Sequence, residues 1–270
     1  MDLTAQKSTA IRMLNKVPEI TLYFWIIKIM ATTVGETAAD YLNFNLGFGL
    51  TNTSWVMGAL LVAALTYQLV RDRYVPWLYW LTVILISIVG TLITDNLTDA
   101  FGVPLWASTA AFSILLAATF IAWYAAERTL SIHTIFTTRR ELFYWVAILF
   151  TFALGTAGGD LATEGLGFGY LQGTLIFGGL IALTTVAYYA MGINSVLAFW
   201  IAYILSRPLG ASIGDLLSQE PSSGGLGLSQ SGINATFLVL IVTLIVYLTI
   251  TRVDRFPDAE GMEARRNPIR

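Results

Sequence analysis

The chain has 270 residues, of which 56% are hydrophobic and only 12% are charged, and its formal net charge is −2. Because a soluble domain carries about 25% charged residues, this composition excludes an ordinary soluble protein and predicts an integral membrane protein. The chain has no cysteine, which excludes disulfides, thiolate catalysis and thiolate metal sites.

Eight apolar segments are candidates for membrane-spanning helices, which need about 17 to 25 residues each. They cover roughly 20–42, 55–70, 77–98, 105–125, 142–162, 172–191, 195–217 and 233–250. The second segment is the shortest of the eight. We therefore predict an all-α integral membrane protein with about eight transmembrane helices.

Each odd-numbered segment carries a glycine five residues before an aspartate, near its C-terminal end. The four pairs are Gly35/Asp40, Gly90/Asp95, Gly155/Asp160 and Gly210/Asp215. The aspartates within each half are 55 residues apart, and the second half follows the first by 120 residues. This register predicts two parallel repeats of four helices, built from four helical hairpins.

The basic residues predict how the chain is oriented. All but two of the 15 Lys and Arg residues precede the first segment, follow the last, or lie between segments two and three or four and five. Basic residues favour the cytoplasmic side, so both termini should be cytoplasmic. The predicted parts are a cytoplasmic N-terminal segment 1–18, a first repeat 19–126, a cytoplasmic linker 127–141, a second repeat 142–251 and a cytoplasmic tail 252–270.

Carboxylates at membrane depth are costly and usually functional, and four in matching register favour an ion or proton site. We therefore expect the odd-numbered helices at the centre of the protein and the even-numbered helices toward lipid. Glu36 lies one helical turn before Asp40 and therefore on the same helix face. The predicted metal ligands are Glu36, Asp40, Asp95, Asp160 and Asp215, with secondary polar ligands at Thr33, Thr37, Asn43, Thr94, Asn96, Asp99 and Thr156. Ligation by oxygen alone suits hard cations such as Mn²⁺, Ca²⁺ or Mg²⁺.

Two basic residues, Lys28 and Arg207, lie inside the apolar segments. Lys28 is two turns before Glu36 and Arg207 two turns before Asp215, so each shares a helix face with an acid. They can serve as counter-ions that couple cation release to proton entry, or they can act only in stability. Pro208 predicts a kink in the seventh helix.

Other features have structural interpretations at this stage. The repeated glycines predict either close helix packing or a local break that frees backbone carbonyls. The eight tryptophans mostly flank the apolar runs, which is typical of an interfacial belt. The Gly- and Ser-rich stretch 218–232 predicts a mobile linker.

The blocks KIMATTVGETAADYL, at 28–42, and LGTAGGDLATEGLGFGY, at 154–170, resemble a bacterial family of inner-membrane proteins described as uncharacterised membrane-anchored proteins. The resemblance covers the whole spanning region and implies a multi-pass protein of the bacterial inner (cytoplasmic) membrane. The repeated acidic motif is also similar in design to small cation exchangers built from duplicated helical units. That similarity carries over no residues.

Together these observations predict a secondary transporter of a hard divalent cation, Mn²⁺ before Ca²⁺ or Mg²⁺, that exports the ion in exchange for protons. The chain has no nucleotide-binding motif, so a gradient would supply the drive, and we expect no enzyme activity and no cofactor. Expected partners are membrane lipid, the metal cation and the proton, with no nucleic acid, and a homodimer is compatible with the sequence.

Three alternatives remain open from the sequence. The first is a non-transporting membrane anchor or regulatory protein that binds a partner through its basic loops. The second is an intramembrane hydrolase that uses two of the four aspartates. The third is a carrier of small anions in which Lys28 and Arg207 bind the substrate.

Overall fold

The structure, a computed structural model, describes residues 15–255, and every regular element in that range is helical. The eight long helices are α1 Leu22–Asp40, α2 Gly49–Val70, α3 Pro76–Asp95, α4 Leu105–Glu127, α5 Thr138–Asp160, α6 Gly169–Met191, α7 Ser195–Ser218 and α8 Gln230–Thr251. All except α1 are long and apolar enough to cross a membrane. The prediction of an all-helical protein with eight long helices is thus confirmed, and seven of the eight predicted transmembrane helices are long and apolar enough to be spans.

Two helices begin before their apolar runs, because polar residues form the first helical turn. The second helix begins at Gly49, six residues before the apolar run. Helix α5 begins at Thr138, inside the predicted linker, because the Thr137 hydroxyl accepts a hydrogen bond from the Arg140 backbone N–H and caps the helix. Most of the predicted N-terminal segment 1–18 and tail 252–270 lies outside the described residues.

The odd-numbered helices form a closed inner ring. Helix α1 packs on α3, α3 on α5, α5 on α7, and α7 on α1. Each even-numbered helix lies outside the ring and packs mainly on the next odd helix, with α8 returning to α1. The membrane windows of the even helices are at most 28% buried, against at least 61% for α3, α5 and α7, so the expected central position of the odd helices is confirmed.

Three inner helices change geometry directly after their aspartate. A π-helical turn follows α1 at Tyr41–Asn45, α3 at Asn96–Ala100 and α5 at Leu161–Gly165. Helix α7 instead ends at Ser218, and the following loop folds back on it. In the predicted mobile linker, the backbone N–H groups of residues 226 and 228 donate to the carbonyls of residues 216 and 217 at 2.7 and 2.8 Å, so this loop is fixed to the helix end.

Candidate ion site

The repeated glycines hold the inner ring together. A Cβ would collide with Ser87 if added at Gly35, with Phe152 at Gly90, with Arg207 at Gly155, and with Thr32 at Gly210. The residue that is met always lies three positions before the glycine of the next inner helix, so one contact repeats four times around the ring. The helices run unbroken through all four glycines, which therefore serve close packing and not a helix break.

The C-terminal ends of the inner helices form what we call the acidic end of the ring. Asp215 is only 6% exposed, and Asp40, Asp95 and Asp160 are half-buried. Glu36, 7% exposed, is the charged neighbour that acts most strongly on each of the four aspartates. The π turns that follow three of these aspartates are a geometry that occurs frequently at functional sites.

The carboxylates at the acidic end do not form a ready metal site. Within residues 15–255, no three His, Asp or Glu side chains lie close enough together to hold a metal ion. Asp40 accepts a hydrogen bond of 3.4 Å from the Gln230 amide of α8. Metal binding by these carboxylates would therefore need the inner helices to move relative to one another.

Most of the predicted secondary ligands bond one helix to another. The hydrogen bonds are Thr33 Oγ1 to Gly210 O at 3.1 Å, Thr94 Oγ1 to Ala153 O at 3.2 Å, Thr37 Oγ1 to Asn234 Oδ1 at 2.7 Å, and Asn96 Nδ2 to Ser54 Oγ at 2.9 Å. Thr156 bonds within its own helix, Asn43 is half-buried in a π turn, and Asp99 is exposed. In this conformation these groups seal the ring and do not converge on one point.

A buried ion pair lies below the acidic end, on the side toward the middle of the inner helices. The Arg207 guanidinium of α7 donates from Nη2 to Glu36 Oε2 of α1 at 2.6 Å, and the same nitrogen contacts the Thr91 hydroxyl of α3. Arg207 is fully buried, and its Nε has no hydrogen-bond acceptor among the described residues. Arg207 thus joins three inner helices, and its partner is Glu36 across the ring and not Asp215 on its own helix.

The second basic residue of the inner helices, Lys28, has no acidic partner among the described residues. Lys28 is fully buried, and its Nζ makes no hydrogen bond within the described part of the chain. The Nζ lies 3.8 Å from the ring centre of Phe152 and 4.2 Å from that of Tyr203, so two aromatic faces contact it. Burying an ammonium without an acceptor is costly, and contact with two aromatic faces offsets part of that cost.

A second repeated motif lies toward the N-terminal ends of the inner helices. Two adjacent aromatic residues precede each repeated glycine, the first by eleven positions and the second, always a tryptophan, by ten. The pairs are Phe24–Trp25, Tyr79–Trp80, Tyr144–Trp145 and Phe199–Trp200. The first ring of each pair packs on the tryptophan of the next inner helix, with centroids 5.5, 5.5, 6.5 and 5.9 Å apart. We call these eight residues the aromatic layer; it closes the ring at the end opposite the acidic end.

The aromatic layer was missed at the level of sequence. Trp80, Trp123, Trp145 and Trp200 are at most 4% exposed, so the assignment of most tryptophans to an interfacial belt was wrong. Trp55, Trp77 and Trp106 are exposed, as a belt requires. The recurrence of an aromatic–Trp pair at a fixed distance from each glycine was the signal that could have revealed the layer.

The fold and site define a multi-pass helical membrane protein with a polar inner ring. Four consecutive segments of the chain, 23–74, 78–129, 143–194 and 198–254, match the family model described as Repeat of Unknown Function (DUF347). The chain belongs to this family, and each repeat consists of one inner helix and the outer helix that follows it. No curated protein and no solved structure matches the chain significantly.

Proposed function

We propose that this protein is a secondary transporter that exports a hard divalent cation, Mn²⁺ before Ca²⁺ or Mg²⁺, in exchange for protons. The observation that carries the proposal is that four repeat-related aspartates lie at one end of a closed helical ring, where Glu36 is the charged group that acts most strongly on each of them. Ionisable residues that face the interior of a membrane bundle mark ion and proton pathways.

The proposed orientation puts the acidic end outside and the aromatic layer toward the cytoplasm, with both termini cytoplasmic. The support is the basic residues, which lie in the described loops at the aromatic end, such as Arg71 and Arg128, and in both terminal segments. On this view the four hairpins form two repeats of four helices, and the protein lies in a bacterial inner membrane. An acidic mouth that faces outward raises the local concentration of cations.

The Glu36–Arg207 pair provides the coupling in this proposal. A cation that binds Glu36 competes with the guanidinium for the same carboxylate, so ion binding and the Arg207 contact exclude each other. The half-buried aspartates can take protons or the cation when the site empties. On this proposal, cation binding would bring the carboxylates closer together than they are in this structure.

A carrier of small anions is the second candidate, and one observation favours it. Lys28 Nζ, Arg207 Nε and the Tyr203 hydroxyl are buried donors without acceptors among the described residues. An anionic substrate would supply the missing acceptors. This alternative predicts that Lys28 is needed for binding and that the aspartates are dispensable.

The test uses purified protein in liposomes that contain a metal-sensitive dye. Mn²⁺, Ca²⁺ and Mg²⁺ are added with and without a proton gradient, and the wild type is compared with Asp40→Asn/Asp160→Asn. We expect flux of Mn²⁺ in the wild type, dependent on the gradient, and a loss of at least tenfold in the variant. No flux of any cation by correctly folded wild-type protein would overturn the proposal.

The control for the anion alternative is Lys28→Met in the same vesicles. If this substitution abolishes binding of a small carboxylate while Asp40→Asn/Asp160→Asn leaves it intact, the protein is an anion carrier.

A further inference from the structure

Buried tyrosine hydroxyls cross the aromatic layer. The hydroxyls of Tyr79 and Tyr144 are hydrogen-bonded at 2.5 Å, and both side chains are fully buried. Tyr203 lies next to them on the side of the acidic end. Its hydroxyl has no hydrogen-bond partner in the described part of the chain, and its ring contacts Lys28. These groups form a polar file inside an otherwise apolar layer.

The file continues on the far side of the layer. The ring of Tyr74 lies 5.7 Å from that of Tyr79, and its hydroxyl donates to Asp254 Oδ2 at 2.7 Å. Asp254 follows the last helix, α8, and its backbone carbonyl accepts a hydrogen bond from Glu19 N–H ahead of α1. The file thus runs from Lys28 within the ring to a carboxylate beyond the ends of the helices.

The ring itself shows that packing does not require these hydroxyls. At the positions equivalent to Tyr79 and Tyr144, the first and fourth repeats have Phe24 and Phe199, which pack in the same way on the next tryptophan. Burying a hydroxyl costs free energy unless it is hydrogen-bonded, and even then its net gain is small. The two tyrosines therefore call for a role other than filling the layer.

We propose that Tyr203, Tyr144, Tyr79, Tyr74 and Asp254 form a proton path between Lys28 and the cytoplasmic face, across a layer that is closed to metal ions. The inference rests on the proposed function, because it names the route of the exchanged proton. The layer has no carboxylate to bind a cation, whereas a file of hydroxyls can pass protons.

The chemistry of the path is a series of proton hops without change of oxidation state. The Lys28 ammonium loses one N–H proton to the Tyr203 oxygen, and each hydroxyl passes its own proton to the next oxygen. The last hop protonates the Asp254 carboxylate, which is 1% exposed, so release of the proton to water requires the segment around Asp254 to open. Three links are open among the described residues, between Lys28 and Tyr203, between Tyr203 and Tyr144, and between Tyr79 and Tyr74, so conduction requires all three to close.

The charged groups around the file fit this role. Burial raises the pKa of the Asp254 carboxyl, although the bond from Tyr74 opposes the shift, so Asp254 takes up a proton more readily than an exposed aspartate. Arg207 faces Lys28 from the acidic side. Glu141, one turn before Tyr144, is held by Lys16 at 2.6 Å and is therefore not free to bypass the path.

The test compares Tyr79→Phe/Tyr144→Phe with Tyr23→Phe/Tyr247→Phe in proteoliposomes. The control removes an equal number of hydroxyls from a tyrosine pair bonded at 3.4 Å on the outside of the bundle. Tyr203→Phe is the second variant, since it removes a hydroxyl that has no partner with hydrogen-bond geometry among the described residues, and its thermal unfolding midpoint is measured to verify folding. Three rates are measured: exchange of radioactive for unlabelled Mn²⁺ at equal pH, Mn²⁺ movement driven by a proton gradient, and proton entry driven by a membrane potential, read with an internal pH dye.

We expect the exchange of Mn²⁺ to stay within about twofold of the wild type in all variants, because the cation does not use the path. Gradient-driven Mn²⁺ movement and proton entry should fall at least tenfold in Tyr79→Phe/Tyr144→Phe and in Tyr203→Phe, but not in the control. Unchanged proton-driven rates in both path variants would overturn the inference.

The two proposals fail in distinguishable ways. If the wild type moves no Mn²⁺ in either assay, the proposed cation transport is wrong. Proton entry driven by the membrane potential then tests the proton path independently of cation transport. A tenfold lower entry in the path variants than in the control supports the path. Equal entry in all proteins, including none in any of them, overturns it.

Discussion

Two buried ion pairs within residues 15–255 have the same length and different surroundings. Lys16 and Glu141 meet at 2.6 Å near the aromatic end, and Arg207 and Glu36 meet at 2.6 Å near the acidic end. In the first pair, Lys16 also donates to the carbonyl of Leu69, and Glu141 accepts from the Trp145 indole. In the second pair, Arg207 Nε has no acceptor among the described residues, and the carboxylate partner Glu36 acts electrostatically on all four repeat-related aspartates.

This comparison separates a structural ion pair from one that can be exchanged. The Lys16–Glu141 pair is satisfied on both sides and ties the segment before α1 to the bundle. The Glu36–Arg207 pair has an unused donor and lies next to other acids that can replace Glu36 as partner. Similar geometry can therefore serve stability at one end of the ring and ion coupling at the other.

The largest expected effect comes from breaking either pair by removing its base. Arg207→Met and Lys16→Met each leave a buried carboxylate without a partner, which costs about 3–5 kcal/mol of stability. The loss of stability is measured by unfolding each protein in detergent with a denaturant or with heat. If Lys16→Met left stability unchanged, the view of Lys16–Glu141 as the structural pair would be wrong.

A smaller effect is expected from the glycine contacts that set the ring. Gly210→Ala places a Cβ against Thr32 and the backbone of α1, and such overpacking costs about 1–3 kcal/mol. Gly58→Ala in α2 meets open space, and we expect it to be neutral or to stabilise the helix by up to about 1 kcal/mol. Equal unfolding midpoints for the two variants would contradict the close packing of the inner ring.

The smallest expected effect is a dependence on pH at the aromatic end. Burial raises the pKa of Asp254 in the folded protein, so the folded state binds this proton more strongly than the unfolded state does. The carboxyl therefore lowers stability above its folded pKa, and this cost disappears as the pH falls toward the unfolded value of about 3.9. We expect Asp254→Asn to be slightly more stable than the wild type at pH 8, with an advantage that shrinks on acidification in thermal unfolding; an advantage that grew on acidification would contradict the sign of the shift.

The helices could be predicted from the sequence, and so could the central position of the helices that carry the aspartates. Both depend on properties of a single segment, namely its apolar length and the free-energy cost of placing its charged residues in lipid. The sequence was not sufficient for partners across the ring. The spacing of Arg207 and Asp215 on one helix was visible, but the bond from Arg207 to Glu36 depends on how far α7 turns toward α1. Helix contacts also decide whether Trp80 faces lipid or the ring, and a single chain does not reveal that orientation.

The most direct test of the account compares two double variants that neutralise one ion pair each. Glu36→Gln/Arg207→Met and Glu141→Gln/Lys16→Met remove both charges of a pair, so both proteins should fold, since replacing a complete buried pair is often close to neutral. Mn²⁺ flux driven by a proton gradient is then measured in liposomes. We predict wild-type flux for the variant of the structural pair and at least a tenfold loss for the variant of the Glu36–Arg207 pair. Equal flux in the two folded variants would contradict the claim that the acidic end carries the ion.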